Sequence, residues 1–269
     1  MQGTQVKGIV FVGGGRITSA LLAGLHLAGS KQPIVVYDRH PQKLKLLKQL
    51  YGINAERDLQ RAVGQAKLLI IAVRPDSLKS LLQEIGEVDH PLHAVSLVAG
   101  VPLARLRGKL GKRVHWSRAM PSPASRGGRG LTALAFDRSM NASQKREVRN
   151  LFAKVGPALE VPESKFDVFT VTYSCSHGYH ALATLASAGA RLGLDRKTAL
   201  TAAAHALADG ILAWRDGDIP LNNLLSEAAT PGGIAATVMK FMNAAGYQRA
   251  VRIGLIGGFK RTRQNAGLI

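Results

Sequence analysis

Three consecutive glycines near the start of the chain carry the clearest chemical signal. An apolar run that ends at Val12 is followed by Gly13-Gly14-Gly15 and then by a helical pattern. Gly13 suits a tight turn, Gly15 lets the backbone approach a pyrophosphate, and Ala20 lets the helix pack closely on the strand. Because a helix N-terminus attracts phosphate, this arrangement predicts a dinucleotide site.

An acidic residue at the end of the next apolar run strengthens this prediction. Asp38 lies roughly 20 residues beyond the glycines, where it can accept hydrogen bonds from the ribose hydroxyls of NAD. Arg39, His40 and Lys43 follow directly and suit the 2′-phosphate of NADP. Asp38 also fits a simple turn before a helix that begins at Pro41. The sequence therefore leaves the choice between NAD and NADP open.

The composition is that of a folded protein. The chain has 269 residues, of which 46% are hydrophobic and 20% charged, so extensive disorder is not expected. Cys175 is the only cysteine, which excludes an intrachain disulfide and a cysteine-clustered zinc site. No run is long enough to span a bilayer, and no signal peptide opens the chain. We therefore expect a cytoplasmic protein.

The net charge of +19 favours anionic ligands. Nucleic acid is one such ligand, but the basic residues are dispersed and only 5% of the residues are aromatic. No stacking platform or zinc finger is evident. The charge is better explained by solvated surfaces that also attract a phosphate-bearing cofactor.

Strand and helix patterns divide the chain into two predicted domains. Strands alternate with helices through residues 1–161, which predicts an α/β fold with a parallel, doubly wound sheet. Alanine-rich helical patterns without strands fill residues 162–269. The small-residue run Ala181–Ala190 suggests close helix packing of the kind found at subunit interfaces.

Local patterns predict three further features. Ser143 is the expected N-cap of a helix over Gln144–Lys154. One long helix is expected over Phe166–Leu192. Cys175 is interpreted as a small buried residue.

Six short motifs follow the glycine turn in a specific order. They are Asp38-Arg39, Ala72-Val73-Arg74-Pro75, Ser96-Leu97-Val98-Ala99-Gly100, Arg118-Ala119-Met120-Pro121, Gly128-Arg129-Gly130-Leu131-Thr132-Ala133-Leu134 and Thr230-Pro231-Gly232-Gly233. With the glycine turn, this order resembles the pyrroline-5-carboxylate reductase family over essentially the whole chain. The resemblance implies a Rossmann domain that holds NADP or NAD, and an all-helical C-terminal domain that forms a homodimer or larger homo-oligomer.

The resemblance also implies a reaction and a set of binding residues. The reaction is hydride transfer to the C=N bond of a cyclic imine, either pyrroline-5-carboxylate, which gives proline, or a related imine. The implied cofactor-binding residues are Gly13, Gly14, Gly15, Arg16, Ile17, Asp38, Arg39, Ala72, Val73, Arg74, Pro75, Ala99, Gly100, Met120 and Pro121. The implied substrate-binding residues are Ser122, Ser176, Thr230, Pro231, Gly232 and Gly233.

The chain departs from the family pattern where the substrate would bind. The segment 174–180 reads Ser-Cys-Ser-His-Gly-Tyr-His in place of Ser-Gly-Ser-Gly-Pro-Ala-Tyr. Ile234 and Ala235 replace two threonines, and each missing hydrogen bond to a charged group costs roughly 1.5–3 kcal/mol of binding. A catalytically silent relative that binds nucleotide and a partner is therefore one alternative. An NAD(P)-linked hydroxy-acid dehydrogenase is another, although no matching motif surrounds Lys165.

Three residues of this divergent segment are candidate catalytic residues. His177, Tyr179 and His180 are candidate donors of a proton to the reduced nitrogen. The two histidines are three residues apart, but no third and fourth ligands accompany them, so no metal site is predicted.

Overall fold

The computed structural model describes residues 8–269. It contains two compact units. The first comprises the described residues up to Tyr173 together with Gly257–Ile269, and the second comprises Ser174–Ile256. The predicted boundary at 161/162 lies where the strands end, and the helix that follows it belongs to the first unit. The division into domains at that residue stays a prediction.

The first unit is built on one sheet of eight strands. They are β1 (Gly8–Val12), β2 (Ile34–Tyr37), β3 (Asn54–Glu56), β4 (Ala66–Ile71), β5 (Leu92–Ser96), β6 (Val114–Met120), β7 (Thr132–Phe136) and β8 (Ala158–Glu160). Their order in the sheet is β3-β2-β1-β4-β5-β6-β7-β8. All pairs are parallel except β6 and β7. The predicted Rossmann-type fold is confirmed, with one antiparallel pair in a sheet that was expected to be parallel throughout.

Helices cover both faces of this sheet. They are α1 (Arg16–Leu27), α2 (Pro41–Tyr51), α3 (Leu59–Gly64), α4 (Pro75–Ile85), α5 (Leu103–Leu106), α6 (Ala142–Ala153) and α7 (Glu163–Thr172), with a 3₁₀ turn over Pro123–Gly127. Successive strand residues point to opposite faces, so Val10 and Phe11 enter two separate apolar clusters. Burial on both faces fixes where each strand ends, and therefore where the connecting loops lie.

The second unit is helical. Its helices are α8 (Ser176–Arg191), α9 (Arg196–Asp216), α10 (Leu221–Ala228) and α11 (Ile234–Ala244), while α12 (Tyr247–Ala266) begins in this unit and ends in the first.

The prediction of one helix over Phe166–Leu192 is wrong, because α7 ends at Thr172 and α8 begins at Ser176. Between them, the Ser174 and Ser176 hydroxyls are 2.6 Å apart. Serine favours helix ends and turns over helix interiors, which is consistent with a break at this position. Within residues 8–269, none of the helices is long and apolar enough to cross a bilayer.

A buried guanidinium fastens α7 to the sheet. Arg118 on β6 is fully buried, and its Nη1 and Nη2 donate to Glu163 (3.1 Å) and Asp167 (2.6 Å) of α7. The guanidinium also lies 4.3 Å from the centre of the Phe166 ring. Glu163 accepts a further hydrogen bond from the backbone N–H of Leu103 at 2.8 Å. A charge removed from water in this way requires such partners, so α5, α7 and β6 are held as one group.

The cap of α6 differs from the prediction. Asn141, not Ser143, is the N-cap. Its side chain accepts from the backbone N–H of Gln144 (3.0 Å), and the Gln144 side chain accepts from the backbone N–H of Asn141 (2.8 Å). This reciprocal pair is a capping box, which an amide side chain at position N3 permits.

Removing this cap is expected to destabilise the protein. Asn141→Ala should lower the free energy of unfolding by about 1 kcal/mol, since the helix loses its side-chain acceptor. Urea denaturation followed by circular dichroism measures the change. Ser143→Ala is the matched control and should leave the midpoint unchanged; equal losses in both variants would contradict the assignment of Asn141 as the cap.

Candidate functional site

A cleft of about 890 Å³ lies at the carboxyl ends of β1, β2 and β4. Its lining residues are Val12, Gly13, Gly14, Gly15, Arg16, Ser19, Tyr37, Asp38, Arg39, His40, Lys43, Leu46, Leu47, Ala72, Val73, Arg74, Ser77, Leu81 and Arg126. In the sheet, β2 lies on one side of β1 and β4 lies on the other, so the order of the strands reverses beside β1. Such a point of reversed strand order is where open α/β sheets bind their ligands.

The glycine turn forms one wall of the cleft. Gly13 has a φ of +105°, and a Cβ at this position would lie 2.6 Å from the carbonyl oxygen of Ala72. A Cβ at Gly15 would meet no atom within 4 Å, so the backbone there is open to a ligand. Gly15 also begins α1 without a side-chain cap. The first N–H groups of α1 are therefore suited to a phosphate.

Asp38 connects the second strand to this turn. Its Oδ2 accepts from the backbone N–H of Gly14 at 2.7 Å, and its Oδ1 accepts from the backbone N–H of His40 at 2.8 Å. The His40 ring and the Lys43 ammonium lie 2.8 and 3.7 Å from the carboxylate. Burial on its own raises the pKa of Asp38, but these hydrogen bonds and the Lys43 charge together hold that pKa below its ordinary 3.8. Asp38 is therefore a carboxylate that stabilises the turn.

Cationic side chains surround the rest of the cleft. They are Arg16, Arg39, Lys43, Arg74 and Arg126. Arg126 comes from the 3₁₀ turn and donates to the Ser19 hydroxyl of α1 at 3.4 Å. Neither Arg126 nor Ser19 is among the predicted site residues. The packing of the 3₁₀ turn on α1 places Arg126 here, whereas Ser19 lies in the first turn of α1 itself. The arrangement suits a ligand with several phosphate groups.

The structure brings most of the predicted cofactor residues to this cleft. Those that line it are Gly13, Gly14, Gly15, Arg16, Asp38, Arg39, Ala72, Val73 and Arg74. Ile17 packs against the apolar core, Pro75 begins α4, Met120 packs against an apolar cluster beside α7, and Pro121 is buried.

Ala99 and Gly100 contact the end of α12 instead of lining the cleft. The Ala99 carbonyl accepts from the Asn265 side chain at 3.1 Å. Gly100 has a φ of +80°, and a Cβ there would lie 2.5 Å from the Thr262 carbonyl oxygen. This glycine is required for close backbone packing within the first unit.

The candidate catalytic residues lie in the second unit. His177, Tyr179 and His180 are exposed in the first turns of α8. Cys175 is exposed as well, so its interpretation as a buried residue is wrong. Across residues 8–269, no three metal-ligating side chains are grouped closely enough to hold an ion.

The predicted substrate residues are divided between the two units. Ser122 belongs to the first, where its hydroxyl accepts from the backbone N–H of Ala124 at 3.0 Å and caps the 3₁₀ turn. Thr230 and Gly233 belong to the second, as does Ser176. Gly233 is the N-cap of α11 and supplies no side-chain acceptor, so the first N–H groups of this helix are suited to an anion.

Two family profiles match the chain. Residues 8–100 match "NADP oxidoreductase coenzyme F420-dependent", and residues 163–265 match "Pyrroline-5-carboxylate reductase dimerisation". The first covers the glycine turn and the cleft-forming strands up to β5. The second begins at the first residue of α7.

Similar proteins cover nearly the whole chain. The pyrroline-5-carboxylate reductase of Thermus thermophilus is 35% identical and aligns over 91% of this chain and 91% of its own. That of Mycobacterium tuberculosis is 29% identical over 95% of this chain and 96% of its own. The crystal structure of Plasmodium falciparum pyrroline carboxylate reductase with NADP bound has a TM-score of 0.85 at 20% identity and covers 98% of this chain and all of its own. This structural similarity confirms the fold.

The depressed pKa of Asp38 predicts a pH-dependent stability. Above pH 4 the ionised carboxylate stabilises the turn, and this contribution is lost as the pH falls through the folded-state pKa. Asp38→Asn should therefore be less stable than the parent protein at pH 7, and the difference should shrink below about pH 4.

Urea denaturation at pH 7 and pH 3 measures this difference. Asp218→Asn, at an exposed position in the second unit, is the control and should change stability at neither pH. A difference for Asp38→Asn that is equally large at both pH values would contradict the electrostatic role.

Proposed function

The chain belongs to the pyrroline-5-carboxylate reductase family, and on this basis we propose that it uses NAD(P)H to reduce the C=N bond of pyrroline-5-carboxylate, giving proline. The observation that carries the proposal is the cleft itself, in which an open glycine turn, the N-terminus of α1 and a cationic rim coincide. Family membership supports the choice of an imine as the hydride acceptor.

The residues of the cleft fit a phosphorylated dinucleotide. Gly15 leaves room beside the N-terminus of α1 for a pyrophosphate. Arg16 and Arg126 line the same cleft and add positive charge. A volume of about 890 Å³ is large for a binding site of a single small metabolite.

The cofactor supplies the hydride, and the protein binds and orients the imine and provides the proton for its nitrogen. The hydride goes to the imine carbon, the C=N bond becomes a single bond, and the nitrogen receives a proton. We assign that proton transfer to His177, Tyr179 or His180. We assign the substrate carboxylate to Ser122, Ser176 and the segment Thr230–Gly233, whose helix N-terminus favours an anion.

The cations beside Asp38 favour NADPH. Each oxygen of Asp38 already accepts a backbone N–H, from Gly14 and His40. Arg39, His40 and Lys43 line the cleft next to this carboxylate. A 2′-phosphate would therefore meet positive charge, whereas the ribose hydroxyls of NADH would compete with the turn for their acceptor.

We also propose that the second unit forms a homodimer. Only Ala199 and Ala203 of its apolar residues are buried, while Ile234 and Phe241 of α11 are 86% and 69% exposed. Such an apolar surface is typical of a subunit interface. Residues 163–265 match a dimerisation profile, which supports this assignment. We also propose a cytoplasmic location, because NAD(P)H-dependent reduction and a single cysteine both suit a reducing compartment.

The direct test is an activity assay with purified protein. NADPH and NADH are titrated first, and cofactor absorbance is then followed with pyrroline-5-carboxylate, with other cyclic imines and, using the oxidised cofactors, with 2-hydroxy and 3-hydroxy acids. Turnover of pyrroline-5-carboxylate supports the proposal. Cofactor binding without turnover of any imine favours a catalytically silent relative. Turnover of a hydroxy acid favours a hydroxy-acid dehydrogenase. A protein that binds neither cofactor contradicts all three functions.

Neutralising the cations beside Asp38 should change the cofactor preference. The double variant Arg39→Gln, Lys43→Gln should raise the KM for NADPH about tenfold or more, because it removes charged partners of the 2′-phosphate, and should change the KM for NADH little. Lys45→Gln, Lys48→Gln removes the same charge from exposed positions of α2 outside the cleft. An equal loss for both cofactors, or an equal effect of the control, would contradict the assignment.

Loss of the proton donor should slow turnover without weakening cofactor binding. Tyr179→Phe and His180→Ala, made separately, should lower kcat, by about 100-fold for a residue that transfers the proton. His205→Ala, at an exposed histidine of α9, is the control. Unchanged turnover in both Tyr179 and His180 variants would reject these two residues as donors.

A further inference from the structure

A second groove lies at the opposite edge of the sheet. It has a volume of about 340 Å³ and lies between α6 and the amino ends of β1 and β4. Its lining residues are Ile9, Gln32, Lys67, Leu68, Ser143, Arg146, Glu147, Asn150, Leu151 and Lys154. Because β1 and β4 are parallel, their amino ends point away from the carboxyl ends that border the cleft. The groove and the cleft are therefore separate sites.

One face of α6 supplies most of the polar lining. Ser143, Arg146, Asn150 and Lys154 recur at intervals of three or four residues, which places them on the same side of the helix. Val148, on the other side, is fully buried in the core. The polar face is therefore held in a fixed orientation by the packing of the helix.

Positive charge in the groove exceeds negative charge. Lys67 is 2.7 Å from Glu147, the groove's one acidic lining residue, so these two charges balance. Lys154 donates only to neutral oxygens, those of Ser30 (3.2 Å) and Gln32 (3.4 Å). Hydrogen bonds of this kind position the ammonium and leave its charge uncompensated.

Arg146 adds a second uncompensated cation. It is exposed and makes no ion pair with any residue in the described range 8–269. The neighbouring His93 lies 3.3 Å from Glu147, and burial lowers the pKa of this histidine below its ordinary 6.5. His93 is therefore neutral at pH 7 and does not alter the balance of charge.

We propose that this groove binds a small polyanion, a molecule with two or more phosphate or carboxylate groups. Arg146 and Lys154 would pair with its charges, and Ser143 and Asn150 offer neutral donors beside them. The N-terminal turn of α6 adds a favourable dipole beside Ser143 and Arg146. A volume of about 340 Å³ suits a small metabolite and is too small for a dinucleotide.

Hydrogen exchange with inorganic tripolyphosphate and citrate tests the proposal. At fixed ionic strength, either ligand should slow exchange in residues 142–153, and the concentration dependence of this protection gives a Kd. Arg146→Gln, Lys154→Gln should raise that Kd about tenfold or more, because two charged partners are lost. Glu147→Gln should lower it, since Lys67 is then freed for the ligand. Protection by only one of the two compounds identifies the anionic group that the groove prefers and still supports a polyanion site.

A matched variant distinguishes ligand binding in the groove from nonspecific attraction by the net positive charge of the chain. Lys109→Gln, Lys112→Gln removes the same two charges from exposed positions that line neither cavity and should leave the Kd unchanged. An equal loss in this control, or protection confined to the glycine turn, overturns the proposal. So does a lack of protection by both compounds, provided that thermal unfolding shows a folded protein. Protection of residues 142–153 does not depend on the cofactor assay, so a failure of either proposal leaves the other standing.

Discussion

The cleft depends on one hydrogen bond, from the backbone N–H of Gly14 to the carboxylate of Asp38. It joins the turn that follows β1 to the end of β2, two loops that the sheet itself leaves free to diverge. The Gly13 N–H reinforces the link by donating to the Tyr37 carbonyl at 2.8 Å. Because Asp38 is nearly buried, its ionised form is retained through the hydrogen bonds from His40 and Gly14 and through the nearby Lys43 charge.

A second buried charge, that of Arg118 on β6, has a comparable structural role farther along the sheet. Arg118 has no exposed surface, and its ion pairs with Glu163 and Asp167 hold α7 on β6. Arg118 lies within β6, where its guanidinium packs on the Phe166 ring, whereas Asp38 follows the end of β2. The core supplies most of the free energy of folding, whereas these polar contacts fix the position of the turn beside β2 and the placement of α7 on β6.

The sequence predicts best what is local. The glycine turn and Asp38 each carry their signal within a few residues, and the structure places both at the cleft beside the ends of β1 and β2. The family resemblance, which rests on the order of several motifs, predicts both the fold and the match of residues 163–265.

Features that arise from tertiary contacts were missed. Arg126 reaches the cleft because a 3₁₀ turn packs on α1, and Gly100 meets a residue far along the chain. The predicted cap of α6, Ser143, lies two residues after the observed cap, because serine and asparagine are similar N-caps and only the contact with Gln144 distinguishes them. The break between α7 and α8 lies in the divergent segment, where the family pattern gives no guidance.

The return of the chain to its first unit has a consequence for synthesis. Thr262 and Asn265 pack against Gly100 and Ala99, so the unit that contains the cleft includes residues that are synthesised after the helical unit. Strands β1 to β8 can pair while the helical unit is still being translated. The loop after β5 acquires these neighbours only after the helical unit has been translated. Packing of the first unit is therefore complete only after the whole helical unit has been synthesised.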